Sequence, residues 1–355
     1  MKLESLHMPF RDVVGHRRLV GLLARSVRRE SLPPSLIFAG PSGVGKRLTA
    51  IATAQALNCT APIITKDSSS PGVEGPLGET IDACGQCAAC TRIARGMHPD
   101  VLIVEPGDSG SIKIEQVRDI VDRAAYRPFE GRRRAVIIDQ ADALVPAAQN
   151  ALLKTLEEPP PSSVFMLITA RPDMLLPTVR SRCPRLRFRP LGPHDIAAAM
   201  VKRGHSEAEA RAVAATADGS LGRALETSAG DLVEARDVAQ HVLARAASID
   251  DPGRRIESAK DLLVKTGAGG AGDRQQLTSH LRAMASLLRD IELLSTRADV
   301  RALANPDVQP ALERLTKAYE GERGMRAFTA VDRALVALDR NAGVKIVADW
   351  LVLQL

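Results

Sequence analysis

Aromatic side chains are scarce: six phenylalanines, two tyrosines and one tryptophan make up 3% of 355 residues. The cores must therefore be filled by Leu, Val, Ile and Ala. No stretch approaches the roughly 20 apolar residues that a membrane helix needs. The opening segment, MKLESLHMPFRDVVG, has no apolar core of leader length, so a cytoplasmic chain without membrane attachment is expected. Cysteine is limited to five residues, which in such a chain points to a metal or reduced thiols rather than disulfides. Neither charge sign is short: 48 Lys and Arg against 42 Asp and Glu leave +6, a mild lean compatible with a polyanion nearby. With 45% hydrophobic and 25% charged residues, the chain reads as an ordinary globular protein, long enough for two or three domains.

Five short apolar runs punctuate the first half: Leu36–Ala39, Val101–Val104, Ala135–Ile138, Val164–Ile168 and Leu186–Phe188. The first four are nearly continuous, as parallel strands buried on both faces should be. The last alternates with arginines, which predicts an edge strand with one wet face. Leu144, Ala148, Leu152 and Leu156 recur every four residues and predict a helix that stops at Pro159-Pro160-Pro161. Strands alternating with helices predict a doubly wound α/β domain. Lys66–Glu79 is rich in Ser, Gly and Pro and reads as a surface excursion. Beyond Pro190 the pattern is helical: His194–Arg203; Glu207–Ala217, opened by the capping box of Ser206 and Glu209; then Leu277–Leu294 and Met325–Leu338, with a Gly-rich joint at Thr266–Gly272. Three domains are expected: 1–190 as the α/β domain, 191–229 as a small helical domain, and 230–355 as an all-α domain.

Gly40-Pro41-Ser42-Gly43-Val44-Gly45-Lys46-Arg47 fits the phosphate-loop pattern through its lysine. Gly40, Gly43 and Gly45 let backbone N–H groups curl around phosphates at a helix N-terminus, and Lys46 reaches the outer phosphates. The next position normally carries a hydroxyl that holds Mg²⁺, but here it is Arg47, which has no acceptor lone pair. Thr49 is no substitute, because two residues along a helix point to nearly opposite faces. Asp139 ends the Ala135–Ile138 run, where an aspartate either supports Mg²⁺ or merely caps the following helix. Gln140 stands where a hydrolysing member of this class has glutamate, and it cannot accept a proton. The loop is thus expected to hold ATP or ADP weakly, without turnover.

Cys59, Cys84, Cys87 and Cys90 have the spacing of a tetrahedral zinc site. Zinc is the expectation, with reduced thiols without metal as the alternative and His98 as a rival fourth ligand. A ferredoxin-type cluster is rejected, since Ala94 and Arg95 stand where a further Cys and Pro would be needed. No glutamate in the cluster could activate water, so Zn²⁺ would be structural, pinning a module at about 58–95. Ser181-Arg182-Cys183 places an arginine at the domain rim, where it is either solvated or within reach of a neighbouring subunit. Arg132-Arg133-Arg134 reads as a solvated loop, with phosphate contact as the alternative.

Together these motifs resemble the delta-prime subunits of bacterial DNA polymerase III clamp loaders, an AAA+ family. The strongest segment is His98–Leu191, with RRRAVIIDQADAL, QNALLKTLEEPP and SRC in order; Gly219–Ala224 and the terminal helix Asn341–Leu355 also fit. The resemblance implies an AAA+ domain with a five-stranded parallel sheet, a helical lid (191–229) and a collar domain (230–355) for oligomerisation. It implies gamma/tau and delta subunits, the sliding clamp and primer-template DNA as partners. It makes Arg182 a finger acting on a neighbour's ATP site, Thr169 the first sensor and Arg223 the second. The gamma/tau motor subunit shares the cysteines and the Ser-Arg-Cys motif, so an ATP-hydrolysing motor is the alternative. Arg47, Gln140 and the lack of a long C-terminal extension favour delta-prime.

Overall fold

Side-chain alternation along the strands decides how the first half folds. In the strand Ser163–Thr169 every residue is buried, but successive side chains must leave opposite faces of the sheet. Val164, Met166 and Ile168 enter one apolar core, whereas Phe165 and Leu167 enter another. Both faces therefore need helices. The computed structural model describes residues 9–66, 79–107, 109–217, 219–226, 229–249, 251–263, 271–296, 303–339 and 342–355.

In chain order the first half runs α1 (Arg17–Arg28), β1 (Ser35–Ala39), α2 (Lys46–Asn58), β2 (Ile63–Lys66), β3 (Glu79–Asp82), α3 (Ala88–Ala94), β4 (Val101–Val104), α4 (Ile114–Ala125), β5 (Arg134–Ile138), α5 (Pro146–Glu157), β6 (Ser163–Thr169), α6 (Pro177–Arg180) and β7 (Arg185–Arg187). Five strands form one parallel sheet in the order β4-β5-β6-β1-β7. Leu23 and Val27 of α1 and Ala50 and Ala54 of α2 cover one face. Val117 and Ile120 of α4 and Leu152 and Leu156 of α5 cover the other. The alternating strand is indeed at an edge, with Arg185 and Arg187 exposed on either side of Leu186. It ends one residue earlier than expected, and Phe188 lies beyond it as a buried plug.

Two readings need correction. Leu144 is not on a helix: it makes a parallel bridge to Ile112, and α5 begins at Pro146, where the missing N–H costs nothing. The antiparallel β2–β3 pair was not foreseen at all. The Ser/Gly/Pro-rich excursion between those strands lies outside the described residues.

The chain divides into two compact units, Met1–Leu191 and Gly192–Leu355. The second contains α7 (Pro193–Val201), α8 (Glu207–Thr216), α9 (Leu221–Glu226), α10 (Ala229–Ser248), α11 (Pro252–Leu262), α12 (Ala271–Ser295), α13 (Gln309–Glu313), α14 (Glu322–Asp339) and α15 (Val344–Gln354). The capping box at Ser206 and Glu209 closes both ways, side chain to backbone in each direction. Leu277, Leu281, Met284, Leu288 and Ile291 form one buried stripe along α12, around which α10, α14 and α15 pack. Most of the expected Gly-rich joint is outside the described residues, while its last glycine, Gly272, already belongs to α12. Among the described residues, no helix is long and apolar enough to cross a membrane.

Candidate functional site

The parallel register brings three of the predicted residues, Gly40, Asp139 and Thr169, to one rim of the sheet. Ala39 pairs with Thr169, and Val104 pairs with Ile138, so Gly40, Thr169, Glu105 and Asp139 all emerge at the carboxyl ends of adjacent strands. Open α/β sheets bind ligands at that rim. Gly40 donates its N–H to the Thr169 carbonyl at 3.2 Å, and a Cβ here would run into the carbonyl of Phe188. Gly45 caps α2 at φ 100°, in the left-handed region that favours glycine. His16 Nε2 hydrogen-bonds the Val44 carbonyl at 3.0 Å, and its ring packs edge-on against Phe188. The loop is thus fixed from both sides. Lys46 is buried, and its ammonium donates to the Gly40 and Pro41 carbonyls at 2.6 and 2.5 Å. Burial pushes its pKa down to about 8, against the pull of Asp139 and Asp142.

Arg47 points across the rim rather than away from it. Its Nη1 donates to Asp139 Oδ2 at 2.9 Å and also to Glu105 Oε1. The other oxygen of Asp139 accepts the backbone N–H of Gln140 at 3.0 Å. Gln140 is exposed and itself sits at φ 51°. Thr49 is fully buried and donates to the Gly45 carbonyl at 2.9 Å, so its hydroxyl is turned into the helix, as its position on α2 implies. Glu105 carries no motif signal in the sequence; only the β4–β5 register reveals it.

Thr169 is buried and donates its hydroxyl to Asp142 Oδ1 at 2.9 Å, while Arg171 holds the other oxygen at 3.0 Å. Arg182 is on an exposed turn after α6. Its guanidinium donates to the Thr178 carbonyl at 2.9 Å and to Glu157 Oε1. Arg223 lies on α9 of the second unit, where its N–H donates to Ser220 Oγ at 3.3 Å.

The four candidate cysteines come together: the sulfurs of Cys59, Cys84, Cys87 and Cys90 all lie within 4.8 Å of one another. Zn–S bonds of about 2.3 Å in a tetrahedron require sulfurs about 3.8 Å apart, and Cys59 and Cys87 are separated by 3.9 Å. Backbone N–H groups of Cys84, Cys87 and Cys90 already point at the sulfurs of Cys59, Cys84 and Cys87, at 3.3 to 3.5 Å. Such N–H···S bonds offset the charge of metal-bound thiolates. Burial opposes ionisation of Cys87, yet hydrogen bonds from Thr60 and Cys90 bring it down to about 5; burial raises Cys59 and Cys90 instead. This donor set fits zinc, which would cross-link the end of α2 to α3. His98 is not a fourth ligand: its Nδ1 accepts from Asp100 N–H at 3.2 Å and its Nε2 lies 3.4 Å from Glu130. Cys183 is outside the cluster, buried, with its thiol pushed up to about 11 by that burial.

The solvated-loop reading holds for Arg132, which is exposed, and in part for Arg133, which is half-buried before the strand, but not for Arg134. Arg134 is buried in β5 and donates to Asp100 Oδ1 at 2.8 Å, Arg133 donates to the Pro161 carbonyl, and Arg132 reaches the Cys59 carbonyl at 2.9 Å. Sequence reasoning missed the importance of Asp100, the last residue of His98-Pro99-Asp100. It accepts the N–H groups of Phe129, Glu130 and Gly131 at 2.7, 2.9 and 2.8 Å. Burial alone would raise its pKa, but those three donors and Arg134 bring it down to about 2. The signal was an aspartate directly before a wholly apolar strand.

Comparison with known proteins agrees with this geometry. The family model described as DNA polymerase III, delta subunit, matches residues 15–192. A delta' subunit of Pseudomonas aeruginosa is 39% identical over 145 residues, 41% of this chain and 39% of that protein. The delta' subunit of Bacillus subtilis is 32% identical over 214 residues, covering 60% and 59%. A gamma/tau subunit of Mycobacterium tuberculosis is 32% identical over 193 residues, 54% of this chain. The chain spans only 31% of that relative's length. A gamma-subunit-related protein of Thermotoga maritima superposes with a TM-score of 0.39 at 18% identity, covering 92% and 95%, a likeness too loose to bear on function. The family match takes in half the chain, including the phosphate loop, the Asp139 rim and the whole cysteine tetrad, and the chain accordingly belongs to the DNA polymerase III delta-subunit family.

Proposed function

We propose that this chain is the delta-prime subunit of a bacterial DNA polymerase III clamp loader, a cytoplasmic subunit that does not hydrolyse ATP itself. It acts with gamma/tau and delta subunits to load a sliding clamp on primed DNA. The observation that carries the reading is the guanidinium of Arg47 on Asp139, where a hydrolysing relative needs a hydroxyl and a metal. Gln140, which cannot serve as a base, supports it. In this reading Gly40, Gly43, Gly45 and Lys46 form a phosphate loop with weak or vestigial affinity for ATP or ADP, and Thr169 and Arg223 take the two sensor positions. Residues 191–229 act as the lid and 230–355 as the collar.

Arg182 is the residue assigned to chemistry. An arginine aimed at the outer phosphate of a neighbouring gamma/tau site neutralises charge that builds there as the phosphoryl group leaves. In the free chain Glu157 and the Thr178 carbonyl hold that guanidinium at the surface. Exchanging Glu157 for a phosphate keeps the guanidinium paired, and the Glu157 carboxylate, about half exposed, is left to water.

The gamma/tau relatives at 32–33% identity favour a second reading, an ATP-hydrolysing motor subunit. The two separate in one assay. The chain is reconstituted with gamma/tau subunits whose own phosphate-loop lysines are substituted, together with delta, and assembly is verified by mass. No ATP turnover is expected from the assembled complex; turnover there would favour the motor. Failure to assemble at all would remove the clamp-loader reading.

A further inference from the structure

Arg47 does more than fail as a metal ligand. The register that pairs Val104 with Ile138 sets the next residues, Glu105 and Asp139, side by side at the rim. One guanidinium nitrogen of Arg47 serves both carboxylates. Two carboxylates converging on one cation beside a phosphate loop is how a divalent metal is held in metal-dependent sites. Magnesium does not fit this rim, because Asp139 Oδ2 is engaged by a fixed positive charge and Oδ1 by the Gln140 N–H.

The surrounding charges agree. Lys46 and Arg47 supply two positive charges against the two negative charges of Glu105 and Asp139, and Asp142 is matched separately by Arg171. The rim is therefore neutral without a metal. With serine or threonine at 47 the same residues would leave one negative charge unmatched, beside a loop built to receive more. Stability accounts for little of the Glu105 arm, since Arg47 and Glu105 are 44% and 47% exposed and pairs so exposed contribute little; Asp139, at 14%, is the more shielded partner.

We infer that Arg47 is the built-in cation of this loop, standing between Glu105 and Asp139 in place of a divalent metal, so that the site takes a di- or triphosphate group free of metal. The inference rests on reading Gly40–Arg47 as a phosphate loop. Binding of phosphate then depends on Lys46, Arg47 and the loop N–H groups, and the bound group meets no metal that could polarise it for cleavage.

The test titrates the full chain with ADP by calorimetry, in excess EDTA and in excess Mg²⁺. The wild-type chain and Arg47→Lys are each expected to bind ADP no more tightly in Mg²⁺ than in EDTA, because Mg²⁺ competes in solution for the metal-free diphosphate. Arg47→Thr is expected to bind at least about tenfold more tightly with Mg²⁺ than without. Wild-type affinity that rises tenfold with Mg²⁺, or an Arg47→Thr chain indifferent to it, overturns the inference. Absence of ADP binding by all three proteins refutes the phosphate-loop reading instead. Titration with Mn²⁺ alone, followed by electron paramagnetic resonance, then decides the inference by itself. A Mn²⁺ site gained in Arg47→Thr and lost again in the Arg47→Thr, Asp139→Asn double variant supports it. A Mn²⁺ site of equal strength in wild type, or none in Arg47→Thr, overturns it.

Discussion

Replacing Asp100 by asparagine should destabilise the first unit far more than an ordinary polar substitution. The carboxylate is fully buried and satisfied by three backbone N–H groups and Arg134. An asparagine keeps one acceptor oxygen but turns an NH₂ toward donors and leaves the Arg134 guanidinium without its counter-charge. Removing one partner of a buried ion pair costs about 3–5 kcal/mol. For a unit the size of Met1–Leu191, each kcal/mol moves Tm by about 2–4 °C, so a loss on the order of 10 °C is expected.

The same carboxylate sets a pH signature. Its folded pKa is about 2 against an ordinary 3.8, and each unit is worth about 1.4 kcal/mol. The folded state therefore gains about 2–3 kcal/mol above pH 4, and loses it as pH falls from about 4 toward about 2. In urea melts followed by circular dichroism, the gap between wild type and Asp100→Asn should be constant from pH 5 to pH 7 and narrow below pH 4. A variant within about 1 kcal/mol of wild type at pH 7, or a gap independent of acid pH, would refute the assignment of Asp100 as the charged hub of this crossover.

Three further outcomes are expected. Purified chain should carry about one zinc by elemental analysis, and Cys59→Ser or Cys90→Ser should lose it along with thermal stability; a fully reduced chain without metal would contradict the tetrad. Gly40→Ala should cost about 1–3 kcal/mol in chemical denaturation, because the new methyl would meet Phe188 Cβ at 2.9 Å and its carbonyl closer still; an unchanged midpoint would mean the loop is not packed against Phe188. Tyr319→Phe removes a buried hydrogen bond of 2.9 Å to the Leu243 carbonyl and should destabilise the helical unit by about 1–2 kcal/mol, with a neutral result counting against that bond.

Much of the site could be read from the chain because its chemistry is local. Gly40–Arg47 is one continuous stretch of loop and first helical turn, and Cys84, Cys87 and Cys90 share a short segment, so spacing alone aligned their donors. The buried strands were legible because both faces are covered, which leaves no polar positions in Val101–Val104 or Ala135–Ile138. What escaped was set by register between distant segments. Glu105 becomes part of the rim only through the pairing of β4 with β5. Asp100 acquires three donors from a turn about thirty residues away. Leu144 keeps the helical spacing yet joins a bridge to Ile112, since the period of an apolar pattern cannot reveal where Pro146 starts the helix. The β2–β3 pair was hidden by the segment that separates its strands, although Ile63-Ile64-Thr65 carries the β-branched run of a strand.

In the proposed function, Arg182 lends its charge to ATP chemistry in a neighbouring subunit. The most direct test of that role is DNA-stimulated ATP hydrolysis by the reconstituted complex containing Arg182→Ala, with assembly verified by mass and folding by circular dichroism. An intact complex whose hydrolysis rate falls by at least about tenfold is expected. An intact complex that hydrolyses ATP at the wild-type rate would contradict that role.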